Sequence, residues 1–334
     1  MTTGGIELEN KLVLGPMAGY TDAAFRQICS EQGADLCYTE MISAKALYYK
    51  NKNTKPLARL PENACPTVLQ LFGNDPELLA QQAQMLEDEP YVMFDVNMGC
   101  PVPKVVNNME GSALMREPAL VGKIIRKMTD TLKKPVSVKI RKGFDENSVN
   151  AVEIAKIAQD NGACMVAVHG RTRVQMYAGK ADYSIIRQVK DALDIPVIGS
   201  GDIYTVQDVR RMLDETGADA VMAARGARGN PWIFRQMSDP GYEPSADEVK
   251  EMIMKQLMLT AHYHELDLLD EGRAGGRKSP EEIQRSALRL AVRQMRKHVG
   301  FYSFGFPNAA AFRRQINTCE TLEQFTQTLT LLGA

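Results

Sequence analysis

Short apolar runs recur through the first two-thirds of the chain, at residues 12–17, 36–41, 67–72, 92–97, 136–140, 166–169, 197–200 and 220–224. Runs of this length, bounded by polar or turn-forming residues, read as buried strands. Between most of them apolar residues return at helical spacing, which predicts helices over 75–86, 118–128, 149–160, 183–192 and 205–215. Asp75-Pro76 marks a helix start, and Asn161-Gly162 and Thr216-Gly217 mark helix ends. Strands alternating with helices predict a parallel sheet. Eight such units are the number that closes a (β/α)8 TIM barrel, and a span of about 230 residues suits one. An open doubly wound sheet would call for a Gly-x-Gly-x-x-Gly turn after an early strand, whereas the chain reads Gly15-Pro16-Met17-Ala18-Gly19 at its first turn. In the barrel reading Met17, Glu40, Gln70, Asn97, Lys139, His169, Gly201 and Arg225 all fall at or just past strand C-terminal ends. That is the face on which barrels build active sites.

After Phe234 the strand pattern stops. Ser238-Asp239-Pro240-Gly241-Tyr242-Glu243-Pro244 has the composition of a linker. Helical periodicity without strands follows over 246–265, 280–299, 309–317 and 322–332, with Glu271-Gly272-Arg273-Ala274-Gly275-Gly276 as a flexible loop between the first two. The expected organisation is an α/β barrel over 1–240 followed by a small C-terminal helical domain over 241–334.

Net charge is −1, so any nucleic-acid surface must be local rather than global. One segment qualifies: residues 283–319 contain seven Lys or Arg and no acid. Arg285, Arg289, Arg293 and Lys297 are spaced by four and share a helix face, opposite an apolar stripe of Leu288, Val292, Met295 and Val299. This face is expected to contact phosphate, with one of Phe301, Tyr302, Phe304 and Phe306 available to stack on a base. No signal peptide is visible at Met1-Thr2-Thr3-Gly4-Gly5, and no apolar run approaches the ~20 residues of a membrane span; cytoplasmic residence is expected. The six cysteines form no Cys-x-x-Cys pair and the four histidines are scattered, so no metal site is expected. Cys29, Cys37 and Cys164 read as small core residues.

Cys100 is different. It lies in Asn97-Met98-Gly99-Cys100-Pro101, just past an apolar strand and between a glycine and a proline, on a stiff loop suited to presenting a thiol. Lys139 sits at an alternate position of its strand that points into the barrel, where a lysine needs an anionic or polar partner. Around these lie Gly15-Pro16-Met17-Ala18-Gly19-Tyr20-Thr21-Asp22, Val138-Lys139-Ile140-Arg141, Val168-His169-Gly170-Arg171-Thr172-Arg173, Gly201-Asp202-Ile203, Ala224-Arg225-Gly226 and Gly229-Asn230-Pro231-Trp232-Ile233-Phe234. Together, in this order, they closely resemble the tRNA-dihydrouridine synthases, and most nearly the bacterial B-type branch.

The resemblance implies an FMN enzyme that reduces uracil in tRNA, using NADPH (or NADH) as transient reductant. It makes Cys100 the acid that protonates carbon 5. A thiol with an ordinary pKa near ~8.5 is protonated at neutral pH, which suits that role. It places Pro16, Met17 and Ala18 beside the flavin ring and Gln70 at its edge. Lys139 and His169 then contact the flavin, with Arg171 facing it or the substrate. Ser200, Gly201, Asp202, Ala224 and Arg225 form a phosphate site close to a helix start near Thr205. Asn97, Lys104 and Arg141 fall to the substrate, with Lys104 and Asn107-Asn108 on a loop that covers the site. Three positions depart from the family pattern: Ser200 where Asn is common, Ala224 where Gly is common, and Tyr183 where Trp is usual. Two rival readings are an FMN barrel acting on a free pyrimidine and a tRNA-binding protein without chemistry. The basic helix argues against the first, and intact Cys100, Lys139, His169 and Arg225 argue against the second.

Overall fold

A computed structural model of the chain describes residues 2–3, 5–62, 64–272 and 279–333. Eight parallel strands form the barrel: β1 (Leu12–Leu14), β2 (Leu36–Tyr38), β3 (Thr67–Phe72), β4 (Met93–Met98), β5 (Val136–Arg141), β6 (Met165–His169), β7 (Val197–Ser200) and β8 (Ala220–Ala223). Each pairs with the next, and β8 pairs with β1 through Met222 opposite Val13, which closes the sheet. A short antiparallel pairing of Thr2–Thr3 with Ile6–Glu7 precedes the barrel.

Strand alternation sorts the apolar residues into two cores. Val13, Leu36, Tyr38, Val68, Met93, Met165, Ala167, Ile198, Ala220 and Met222 fill the barrel interior. Their neighbours Leu12, Leu14, Leu69, Phe94, Val96, Val138, Val166 and Val221 face outward. There they pack under α1 (Ala23–Glu31), α2 (Ala44–Tyr48), α3 (Pro76–Gln84), α5 (Pro118–Thr131), α6 (Ala151–Asp160), α7 (Tyr183–Ala192) and α8 (Val206–Thr216), while the short α4 (Pro103–Val106) lies in the loop after β4. Toward the C-terminal mouth the interior turns polar: Gln70, Asp95 and Ser137 are register partners on β3, β4 and β5, and Asn97 lies opposite Lys139 one step higher.

Beyond α9 (Arg235–Ser238) the chain is helical: α10 (Ala246–Gly272), α11 (Pro280–Tyr302), α12 (Ala309–Ile316) and α13 (Leu322–Leu329). α10 runs past residue 265, so Glu271 and Gly272 belong to a helix; residues 273–276 of the expected loop lie outside the described residues. α11 starts on a capping box, with Ser279 and Glu282 bonding each other's backbone N–H and Pro280 at the first position. Ile253, Leu257, Val292, Met295, Val299, Ile316 and Phe325 form its core, which also takes in Ile28 of α1 and Trp232. The helical region is thus joined to the barrel by continuous apolar packing. Among the described residues no helix is long and apolar enough to cross a membrane.

Candidate active site

A cavity of about 520 Å³ opens at the C-terminal mouth of the barrel. Its walls include Pro16, Met17, Ala18, Gln70, Asn97, Cys100, Lys139, Arg141, His169, Ser200, Gly201, Asp202, Ala224 and Arg225. Fourteen positions from seven of the eight strand units therefore converge, because each lies in the C-terminal half of a strand or in the loop after it.

The Cys100 loop is held on three sides. Asn97 Oδ1 accepts from the backbone N–H of Cys100 at 2.9 Å and of Gly99 at 3.2 Å. Ser112 Oγ donates to the Cys100 carbonyl at 2.8 Å, and Arg141 Nε to the Gly99 carbonyl at 2.7 Å. Burial raises the Cys100 thiol above its ordinary range, against the pull of the Val102 backbone N–H and of nearby Arg141 and Lys139. The group is a protonated thiol at neutral pH, not a thiolate.

The cavity floor is basic. Burial, then Arg141, pushes Lys139 down to about 8. Burial lowers Arg141 to about 10; its Nη1 is committed to the carbonyls of Thr172 and Met176 at 2.9 and 3.0 Å. Burial drives His169 well below the usual imidazole value, helped by Arg141, Lys139, Arg171 and Arg225, so its ring is neutral at pH 7. These cations have little carboxylate near them beyond Asp95 and Asp202, which leaves positive potential for an anionic ligand.

The loops after β7 and β8 form a cradle. Gly201 has φ 128°, and a Cβ there would lie 2.6 Å from Ala181 Cβ and 3.1 Å from His169 Cδ2. A Cβ on Gly226 would lie 2.0 Å from the Ile203 carbonyl, so the two loops meet backbone to backbone. Asp202 accepts from Arg171 Nη2 with both oxygens (2.8 and 2.6 Å), from Ala181 N–H at 2.8 Å and from Arg225 at 3.3 Å. Arg225 lies over the Tyr177 ring at 4.4 Å and the Tyr204 ring at 5.8 Å.

Several expected placements change. Arg171 does not line the cavity; it is 1% exposed and braces the cradle through Asp202 and the carbonyls of Ala178 and Gly179. The start of α8 already has its own anion: Asp208 accepts from the N–H groups of Tyr204 and Thr205, and Thr205 caps Asp208 in return. Upstream of α8, the backbone N–H groups of Asp202 and Ile203 have no acceptor among the described residues and are open to a phosphate. Lys104 is exposed on α4 and does not line the cavity. Asn97 is engaged with the Cys100 loop and, through Nδ2, with Gln70 Oε1 at 2.8 Å. Lys297 reaches the Gly19 carbonyl and lies 5.2 Å from the Tyr20 ring centre. Arg293 is paired with Glu320 at 2.8 Å, just beyond the acid-free run, whereas Arg285 and Arg289 are exposed and without an ion pair among the described residues.

Three features escaped the sequence reading. Tyr20, which lines the cavity, packs edge-on against His298 (5.3 Å) and Phe301 (5.7 Å) of α11, with Arg228 between Tyr20 and Phe301. Asp95, at the inward position before Asn97, had the same signal as Lys139: an ionisable group in an apolar strand. Residues 41–61 contain Lys45, Lys50, Lys52, Lys55, Arg59 and no acid, and they expose Tyr48 and Tyr49 beside Lys50 and Lys52.

A (β/α)8 barrel with a protonated cysteine facing a basic cavity floor, and a glycine cradle after its last two strands, is laid out as a barrel enzyme. The chain belongs to the dihydrouridine synthase family, whose profile matches residues 13–332. It is 38% identical over 319 residues to a probable tRNA-dihydrouridine synthase of Rickettsia conorii, covering 94% of this chain and 90% of the relative. It is 36% identical over 332 residues to tRNA-dihydrouridine synthase B of Pseudomonas aeruginosa, covering 96% and 94%. Histamine dehydrogenase from Rhizobium sp. 4-9 shares the fold at a TM-score of 0.51 and 11% identity, over 75% of this chain and 49% of that one.

Proposed function

We propose that this protein reduces a uridine of tRNA to 5,6-dihydrouridine with bound FMN, NADPH being the electron source. The observation that carries the reading is the Cys100 thiol, held protonated and pinned by three hydrogen-bonding partners at the mouth of a basic cavity. The names of the relatives support tRNA as substrate and the B-type as the nearest branch.

The residues present fit FMN. The cradle at Gly201 and Gly226 has no room for side chains, holds uncommitted N–H groups at Asp202 and Ile203 and faces Arg225; these would take the phosphate. Lys139, with no acceptor among the described residues, and neutral His169 would meet the polar edge of the ring, while Pro16, Met17 and Ala18 would cover its face. Bound FMN, once reduced, supplies a hydride to uracil carbon 6. Cys100 gives its S–H proton to carbon 5, and the thiolate regains a proton from solvent. Burial keeps that proton in place until the carbanion character at carbon 5 develops.

In this reading the barrel, 1–240, performs the chemistry and the helical domain, 241–334, grips the RNA. Arg285 and Arg289 on α11 and Lys50 and Lys52 beside α2 are exposed cations without an ion pair among the described residues, available to meet phosphate. Phe304, 86% exposed at the end of α11, is placed to stack on a base. The test is incubation of FMN-loaded protein, NADPH and unmodified tRNA, with nucleoside mass spectrometry for a gain of two mass units on uridine. Flavin-loaded protein that oxidises NADPH and yields no dihydrouridine refutes the reading.

A further inference from the structure

Below the cavity, Ser137 Oγ donates to Asp95 Oδ1 at 2.6 Å and Gln70 Nε2 donates to Asp95 Oδ2 at 2.7 Å. The Gln70 oxygen faces the other way and accepts from Asn97 Nδ2 at 2.8 Å. Asn97 Oδ1 is then left to accept from the Cys100 and Gly99 N–H groups at 2.9 and 3.2 Å. Glutamine and asparagine amides have two orientations of nearly equal shape, and only their partners choose between them. At one end of this chain stands a carboxylate, which when ionised accepts at both oxygens. At the other stand two backbone N–H groups, which only donate. The carboxylate is the sole member that imposes the direction from below.

We propose that Asp95 is a positioning residue that anchors the lower end of a hydrogen-bond relay, through Gln70 and Asn97, whose direction the two N–H groups enforce from above, and so fixes the Cys100 loop at the cavity. Asp95 is fully buried, and burial raises its carboxyl to about 6, opposed by its bonds to Ser137 and Gln70 and by Lys139. Tyr38 and Cys164 are the other titratable groups that face it. It is therefore ionised at neutral pH, as a double acceptor must be. Without an acceptor at residue 95 the Gln70 nitrogen is left unpaired, Gln70 is free to turn, and Asn97 loses the partner that holds it against the Cys100 loop.

The proposal rests on Cys100 as proton donor only for its effect on turnover; its test reads the loop itself. Purified protein is treated with iodoacetamide at fixed pH, and labelling of the Cys100 peptide is timed by mass spectrometry. Asp95→Leu, which keeps the branched shape but is larger and unable to accept, is expected to speed Cys100 labelling several-fold and to lower kcat by up to about 10²-fold, the cost of roughly 1 Å of misplacement. Asp95→Asn with Gln70→Glu moves the carboxylate one place along and keeps the polarity: residue 95 donates to 70, which still accepts from Asn97. Labelling in that double variant is expected to return toward the wild-type rate, which a merely packing role for Asp95 would not produce. Gln70→Met breaks the relay one link later and stands in where a variant at position 95 does not fold; it too should speed labelling. Wild-type or slower labelling in Asp95→Leu or Gln70→Met, or labelling in the double variant as fast as in Asp95→Leu, overturns the proposal. Absence of dihydrouridine formation by the wild type would instead refute the function while leaving the labelling comparison intact.

Discussion

Gly226→Ala is the sharpest perturbation of the proposed phosphate cradle. The new Cβ would stand 2.0 Å from the Ile203 carbonyl oxygen, 2.7 Å from Tyr204 Cα and 2.9 Å from the Ile203 carbonyl carbon. All three are backbone atoms, so no rotamer change relieves the clash. A relaxed carbon–oxygen contact is about 3.3 Å, so the loops after β7 and β8 must part by about 1.3 Å. Both loops bear on the cradle: one carries Asp202 and Ile203, the other Arg225. Overpacking of this kind costs about 1–3 kcal/mol, and strain of that size taken up as the cradle closes on phosphate weakens Kd by about 10–10²-fold. The variant should fold with a modestly lowered Tm, lose FMN on gel filtration, and rebind it in fluorescence titration with a Kd weaker by about one to two orders of magnitude. Gly241→Ala is the matched control, since a Cβ there meets nothing within 4 Å. If Gly226→Ala held one FMN per chain with wild-type Kd, the cradle would have been placed in the wrong loops.

Cys100→Ala should keep its flavin and its reduction by NADPH, yet lose single-turnover uridine reduction by about 10²–10⁴-fold; an unchanged rate would remove Cys100 from the chemistry. Burial lowers His298 from the usual 6.5 to about 4. With the folded value depressed, the unfolded state binds the extra proton, so the contribution of His298 is present above pH 6.5 and is lost as pH falls toward 4, about 3 kcal/mol in all. The difference in urea-unfolding free energy between wild type and His298→Phe should change by that amount across the window, and a constant difference would contradict it. Arg285→Glu with Arg289→Glu should weaken tRNA binding and reduce the slope of log Kd against log salt by about 0.7–0.9 per lost contact. An unaltered salt slope would show these arginines to be a solvated face.

The barrel was legible because its grammar is local. Parallel strands buried on both sides are written as short apolar runs, and 67–72 and 197–200 matched the observed strands residue for residue. The cavity was legible for the same reason: a chemically unusual residue at a strand's C-terminal end faces the mouth wherever the strand stands in the ring. What could not be read was pairing across distance. Arg171 and Asp202 are 31 residues apart, and nothing in either segment announces that one will neutralise the other. Arg293 looked unpaired because Glu320 falls one residue past the acid-free run. Lys297 shares its spacing with Arg285 and Arg289, but the end of α11 leans on the barrel, so the same periodicity serves solvent at one end and a carbonyl of the barrel at the other.

Tyr20 is a wall of the cavity on one side and a packing partner of α11 on the other. Exchange of the helical domain for that of a relative would therefore not be a neutral graft. A chimera lacking His298, Phe301 and Lys297 would strip the support from the loop at Gly19 and Tyr20 and alter the pocket from behind. Retargeting such a chimera to another RNA would call for the barrel-facing residues of α11 to stay as they are here, with changes confined to its outward face.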